Sequence, residues 1–352
     1  MSLRIHKSAD AFLLESGAKL DELTIAYHTY GELNDRKDNV VWVCHALTAN
    51  SDVLDWWPGL FGEHELFNPN DYFIICANVL GSAYGTTSPL SINPQSGKPY
   101  YLTFPQFTIR DIVRANQRLA DHLGITTIDI LIGGSLGGQQ VLEWTAAKTI
   151  RINRLIAIGT CAQSSPWGIA FNESQRLAIA ADATFYEDRP DGGFSGLKAA
   201  RSIALLSYRN HDTYTATQQE TDTDKIDEYR ASSYQRYQGD KLVRRFNAYS
   251  YWYLTKAMDS HHLGRNRESV AQTLADFEPE TLVIGIPTDV LFPSVEQEFI
   301  ARHIPRATYY ELHSRYGHDG FLIETATLTD IIGKFLQESE ATPRGIIHEK
   351  TV

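Results

Sequence analysis

A serine set among glycines, Gly133-Gly134-Ser135-Leu136-Gly137, is the part of this sequence most directly tied to chemistry. A serine hydroxyl attacks a carbonyl carbon only when a base removes its proton, and it must stand clear of the backbone to do so. The pattern Gly-x-Ser-x-Gly provides that projection when it joins a buried strand to a helix. Histidine suits the base, because its ring takes up and returns a proton near neutral pH. His318, in Tyr316-Gly317-His318-Asp319-Gly320, lies in a glycine-flanked loop that can swing towards Ser135. His313 ends a β-like run and reads as a packed ring, and His303 is a poorer choice. The acid that orients the base is expected at the end of an earlier β-like run, where Asp289 follows Gly285-Ile286-Pro287-Thr288. An oxyanion formed on attack needs two backbone N–H donors. Leu136, after the nucleophile, is one. Leu47 or a neighbour, in His45-Ala46-Leu47-Thr48, is the expected second.

These residues need a scaffold, and its elements are legible. Ile128-Asp129-Ile130-Leu131-Ile132 reads as a buried strand running straight into Ser135, and 136–148 reads as the helix after it. Val40-Val41-Trp42-Val43-Cys44, the run 72–77 and the run 154–159 are near-continuous apolar stretches, the mark of strands buried on both faces. Residues 23–30 form a β-rich run closing at Gly31. Over 109–123 a helix is expected, with Ile112, Ala115, Leu119 and His122 on one stripe and Gly124 ending it. Alternating strands and helices imply a parallel, doubly wound sheet with right-handed crossovers. Sheet signals return at 281–286 and 308–312, followed by a closing helix over 320–336 and a loose tail. With serine, acid and histidine in that chain order, the pattern is that of an α/β-hydrolase fold. From 166 to 277 the chain is rich in Gln, Tyr, Arg, Asp and Ala with helical periodicity. It reads as a helical lid inserted in a catalytic core of 1–165 and 278–352. The long Gly/Ser/Pro-rich stretch 81–101 is a candidate functional loop.

Composition narrows the chemistry further. The 352 residues carry a formal net charge of −11, which argues against nucleic acid or an anionic membrane surface as partner. Three cysteines without framework spacing argue against disulfides, and the sequence shows neither a signal peptide nor a membrane-spanning run. A cytoplasmic enzyme is expected. No HExxH, cysteine cluster, P-loop or GxGxxG pattern occurs, so no metal and no permanently bound cofactor is expected.

At this level of detail the sequence resembles the homoserine O-acetyltransferase family of methionine biosynthesis, from about residue 10 to residue 338. The resemblance rests on His45-Ala46-Leu47-Thr48, Asn78-Val79-Leu80-Gly81-Ser82, Gly133-Gly134-Ser135-Leu136-Gly137-Gly138-Gln139-Gln140 and Leu142-Glu143-Trp144. It continues through Ala200-Arg201-Ser202-Ile203-Ala204, Ser207-Tyr208-Arg209, Asp289-Val290-Leu291-Phe292-Pro293 and Gly317-His318-Asp319-Gly320-Phe321-Leu322. It implies a ping-pong reaction in which Ser135, with Asp289 and His318, takes the acetyl group of acetyl-CoA and passes it to L-homoserine. It also implies that Arg201 binds the amino-acid carboxylate, Asp319 binds the ammonium, Tyr208 lines the site, and the lid builds a homodimer. Without the resemblance, Arg201 reads as a surface ion-pair partner and Asp319 as a helix cap. The family commonly has Met where this chain has Leu136, and Gly-Asp or Gly-Ser where it has Ala49-Asn50. A homoserine or serine O-succinyltransferase of the same family, and a lidded serine esterase or thioesterase, are the alternatives.

Overall fold

The apolar runs pair side by side. In the computed structural model, which describes residues 2–341, eight strands form one sheet. They are β1 (Arg4–Ser8), β2 (Leu23–Tyr30), β3 (Val40–Cys44), β4 (Phe73–Ala77), β5 (Thr127–Gly134), β6 (Arg151–Ile158), β7 (Glu280–Gly285) and β8 (Ala307–Glu311). Their spatial order is β1-β2-β4-β3-β5-β6-β7-β8. Pairings β1/β2 and β2/β4 are antiparallel, and every other pairing in the sheet is parallel. Alternate residues feed two separate cores, as the two-residue period of a strand requires. Trp42, Leu131, Leu155 and Val283 point into one, while Val43, Ile132, Ile156 and Ile284 point into the other. Helices α1 (Ile109–His122) and α2 (Leu136–Ala147) cover the first face.

After β6 the chain runs through α3 (Pro166–Ala180), α4 (Phe194–Tyr208), α5 (His211–Gln218), α6 (Arg230–Val243) and α7 (Ala248–Asp259). A short α8 (Val270–Ala275) returns it to β7, and α9 (Ser294–His303) and α10 (Thr325–Ala341) complete the chain described, with α10 closing the second core. These inserted helices rest on the loops at the C-terminal edge of the sheet. The Trp167 indole N–H at the start of α3 donates to the Val290 carbonyl at 2.6 Å. Gly317 packs so tightly on the end of α4 that a Cβ there would lie 3.2 Å from the Tyr208 carbonyl oxygen.

Several details differ from the sequence expectation. β1 is an exposed edge strand with alternating polar residues and so lacks the apolar signal of the buried strands. His122 does not join the buried stripe of α1; it is exposed and stacks on His6 at 4.0 Å. The closing helix is two pieces, Gly320–Ile323 and α10, because Glu324 leaves helical dihedrals (φ −85°, ψ 48°). Its carboxylate accepts a hydrogen bond from Ser314 Oγ at 2.9 Å, tying the break to the loop before it. The stretch 81–101 is largely irregular, with one short ribbon pairing Ile92–Asn93 with Lys98–Pro99. Most of the expected tail, from residue 342, lies outside the described residues. All three cysteines are buried free thiols. Among the described residues no helix is long and apolar enough to cross a membrane.

Candidate active site

Ser135 occupies the sharp turn between β5 and α2, with φ 59° and ψ −124°. That conformation is unfavourable for a residue with a Cβ and persists only because its surroundings over-determine it. The Ser135 N–H donates to the Ile158 carbonyl at 3.0 Å, and Thr160 Oγ1 donates to the Ser135 carbonyl at 2.9 Å. The glycines are needed for closeness. A Cβ on Gly137 would lie 2.0 Å from the Cys44 carbonyl oxygen, and one on Gly133 would lie 2.4 Å from the Gly137 carbonyl oxygen. The start of α2 is thereby pressed against the end of β3.

Asp289 follows β7, and its two oxygens have different duties. Oδ1 accepts the Leu291 and Phe292 N–H groups at 2.8 and 3.0 Å, while Oδ2 accepts His318 Nδ1–H at 2.6 Å. With Nδ1 carrying the proton, the neutral ring presents a lone pair at Nε2. Both side chains are buried. They gather at the end of β6: a Cβ on Gly159, next to the residue that holds the Ser135 N–H, would lie 3.6 Å from Asp289 Oδ2 and 3.7 Å from His318 Nδ1. Phe321 spans the remaining gap. Its ring lies 5.5 Å from that of His318, and a Cβ on Gly134 would lie 2.7 Å from the same ring. Burial lowers the basicity of His318, but the charge and hydrogen bond of Asp289, aided by Asp319, outweigh it and raise its pKa above the ordinary 6.5.

The loop after β3 is a tight turn with the Ala49 N–H donating to the Ala46 carbonyl at 3.1 Å. His45 Nδ1–H donates to the same carbonyl at 2.8 Å, and His45 Nε2 accepts the Val79 N–H at 3.1 Å. In a trans peptide the C=O and N–H point in opposite directions. Fixing the Ala46 carbonyl therefore fixes the Leu47 N–H, which no described residue accepts. Leu136 is the first residue of α2, so its N–H has no partner one turn back in its own helix. Gln140 joins the two pieces, its amide donating to the His45 carbonyl at 3.1 Å.

Burial lowers the pKa of His45 to about 4, against a weaker opposing effect of the Ala46 carbonyl, and burial likewise lowers His261 to about 4. Both are neutral in the folded protein but titrate normally once unfolded. Stability is therefore full above pH 6.5 and falls as pH drops towards 4, by roughly 3 kcal/mol for each ring. His318 works in the opposite sense, contributing most below pH 6.5. Melting temperatures measured from pH 7 to 4.5 are expected to fall, and less steeply in His261→Gln; equal slopes would contradict the assignment.

On the other side of His318 lie the residues of α4. The Tyr208 ring is 5.8 Å from that of His318, and the Arg201 guanidinium sits 5.3 Å from the Tyr208 ring centre. Arg209 Nε is 2.8 Å from Asp319 Oδ2, but its N–H is not aimed at that oxygen, so the contact is an ion pair rather than a hydrogen bond. Burial raises the pKa of Asp319, with Arg209 and Arg201 opposing it. Asp319 makes no capping hydrogen bond. His313, expected to be packed, instead has 81% of its side chain exposed, because β8 is the sheet edge and ends in solvent. His303 bonds the Phe299 carbonyl of its own helix at 2.8 Å. Sequence reasoning gave no role to the His45 ring, Thr160 or Arg209. His45 and Arg209 stand inside quoted motifs, whereas Thr160 carries no local signal.

The chain matches the alpha/beta hydrolase fold family over residues 39–325. It is 48% identical over 339 residues to a homoserine O-acetyltransferase of Cyclobacterium marinum, covering 96% of each chain. The chain belongs to the homoserine O-acetyltransferase family. Among solved structures, the homoserine O-acetyltransferase of Bacillus anthracis superposes with a TM-score of 0.88 at 23% identity, over 96% of this chain and 98% of that one. Esterase E22 superposes nearly as well, with a TM-score of 0.86 at 23% identity over 95% and 99%. At such identities the superposition shows the fold alone.

Proposed function

We propose that this protein is a homoserine O-acetyltransferase that moves the acetyl group of acetyl-CoA to L-homoserine through an acetyl-Ser135 intermediate. His318 Nε2 takes the Ser135 proton as Oγ attacks the thioester carbonyl, and the oxyanion is held by the Leu47 and Leu136 N–H groups. The C–S bond breaks and the thiol leaves with the proton from His318. In the second half the homoserine side-chain hydroxyl gives its proton to His318 and attacks the acetyl-serine ester; His318 passes that proton to the leaving Ser135 Oγ as O-acetylhomoserine is released. Asp289 holds the ring and stabilises its charged form. Acetyl-CoA is a co-substrate, and the mechanism uses no resident cofactor or metal.

One observation supports this reading over hydrolysis: a carboxylate adjoins the base in sequence, and a guanidinium stands one aromatic ring away from it. Asp319 adjoins His318 in sequence, and Arg201 rests on the Tyr208 ring that neighbours it. A free amino acid offers a carboxylate for the planar guanidinium and an ammonium for the carboxylate, with its hydroxyl left towards the base. Water offers neither. The helices between 166 and 277 act as a lid that keeps water from the acetyl-enzyme. Leu177 and Leu206, 62% and 57% exposed on that lid, fit a homodimer contact. The cytoplasm suits an enzyme with three free buried thiols.

The test is thiol release from acetyl-, propionyl- and succinyl-CoA, each with homoserine, serine or no acceptor. Steady release is expected with acetyl-CoA and homoserine together. Equal release with no amino acid would assign an esterase or thioesterase, and a preference for succinyl-CoA would assign a succinyltransferase. Arg201→Ala is expected to raise KM for homoserine by roughly tenfold or more while leaving the acetylation half-reaction intact.

The raised His318 pKa has a sign that can be checked in the acceptor-free half-reaction. The base must be neutral to accept the serine proton, so acetylation should rise with pH along a limb centred above 6.5. Asp319 helps hold the imidazolium, so Asp319→Asn should move that limb towards lower pH. An unmoved or more alkaline limb would contradict the electrostatic assignment.

A further inference from the structure

The oxyanion turn is held from within by His45, and a second hand reaches it from outside. Arg245 lies in the joint between α6 and α7, where the Arg245 and Phe246 N–H groups both donate to the Leu242 carbonyl at 3.0 Å. Asn247 caps α7 by accepting the Ser250 N–H at 2.8 Å, so the backbone on both sides of Arg245 is fixed. Phe246 is buried and meets the Tyr84 ring edge-on at 5.7 Å. From this anchored joint Arg245 Nη1 donates to the Thr48 carbonyl and, at 2.5 Å, to the Tyr84 hydroxyl. Tyr84 in turn donates to the Thr48 carbonyl at 3.2 Å. Thr48 is the residue after Leu47 in the four-residue turn closed by Ala46 and Ala49.

We propose that Arg245 is a positioning residue for the oxyanion hole, fixing the outer peptide of the 46–49 turn so that the Leu47 N–H keeps its aim. The first and last peptides of the turn are thus restrained by separate groups: His45 holds the Ala46 carbonyl, and Arg245 with Tyr84 holds the Thr48 carbonyl. A tight turn with one end free can rotate a peptide plane and carry an N–H away from its target, whereas one held at both ends cannot do so without breaking a charge-assisted bond. Arg245 comes from the inserted helices and the turn from the sheet, so the hole is fully braced only when the insertion is seated. The inference rests on the acyl-transfer reading above, in which the Leu47 N–H meets the developing oxyanion.

The experiment is pre-steady-state release of thiol from acetyl-CoA by wild type, Arg245→Ala, Arg245→Lys and Tyr84→Phe. Arg245→Ala is expected to lower the acetylation rate constant at saturating acetyl-CoA by about tenfold or more. KM values for acetyl-CoA and homoserine should stay within about threefold, since no substrate contact is removed. Millimolar ethylguanidinium should restore part of the loss, because Arg245 is exposed and leaves room for the added cation. Lysine, with one ammonium in place of a planar fork, should recover less activity than added ethylguanidinium restores. Tyr84→Phe should show a smaller loss of the same kind, non-additive with Arg245→Ala. An unchanged acetylation rate in Arg245→Ala would overturn the inference. So would a raised KM for acetyl-CoA with the saturated rate intact, which would make Arg245 a donor contact. Absence of thiol release by wild type would instead overturn the acyl-transfer reading itself. Arg245→Lys and Tyr84→Phe keep the test decisive if the alanine variant fails to fold.

Discussion

Ser135→Ala is expected to lower kcat/KM for acetyl transfer by about four to six orders of magnitude, with the protein still folded. The loss is large because alanine removes the only atom that forms the covalent bond, while the oxyanion donors and acceptor clamp survive to stabilise nothing. Intact mass after mixing with acetyl-CoA should show one acetyl increment on wild type and none on the variant. Survival of activity within a hundredfold would mean that acyl transfer runs through another nucleophile or directly between substrates. The site also makes a stability prediction. Ser135 is held at φ 59° by the hydrogen bonds of Ile158 and Thr160, and alanine keeps that strain. Glycine removes it. Ser135→Gly should therefore be as inactive as the alanine variant and more stable by about 1 kcal/mol, the usual sign of strain kept for function.

The buried strands were legible because central parallel strands bury both faces and become uninterrupted apolar runs. Val40–Cys44 is the clearest case, matched residue for residue. Ser135 was legible for a related reason: two close backbone approaches demand glycine at 133 and 137, which writes the turn into the sequence. Asp289 and His318 followed from chain order. The rest depended on distance along the chain. Arg209 meets Asp319, and Arg245 meets Thr48, through contacts that no local period encodes. The edge strand β1 and the exposed His313 failed for the opposite reason. At a sheet edge, burial no longer selects residue type, so strand and solvent-facing loop look alike.

The inserted helices have a definite bearing on the site. Three of their contacts with the sheet domain lie at the site: Trp167 on the loop after Asp289, Tyr208 with Arg209 on the His318 loop, and Arg245 on the oxyanion turn. Each contact falls within two residues of a group proposed to act in catalysis. The proposed acyl transfer needs these loops held while water is excluded, and helices bonded to all three fit that need.

Asp289→Asn is the second large effect expected, and the hydrogen bonds already in place decide its sign. Asp289 Oδ1 accepts two backbone N–H groups, from Leu291 and Phe292, and an amide nitrogen cannot accept either. The new carboxamide must therefore keep its oxygen on that side and turn its NH2 towards His318 Nδ1. A donor facing Nδ1 requires that nitrogen to give up its proton, which moves the ring to the tautomer with Nε2–H. Nε2 then has no lone pair for the Ser135 proton, and the base is lost although nothing has moved. A loss of about four orders of magnitude in kcat is expected, with little change in the acetyl-CoA affinity of the folded protein. Nitrogen-15 shifts of the imidazole should report a protonated Nε2 in the variant and a protonated Nδ1 in wild type. If Asp289→Asn kept activity within tenfold, or showed the Nδ1–H tautomer, the orientation of His318 would have to come from a different group. Because Leu291 and Phe292 fix which way the amide faces, Asp289→Asn should be at least as damaging as Asp289→Ala, which leaves the ring free to choose its tautomer.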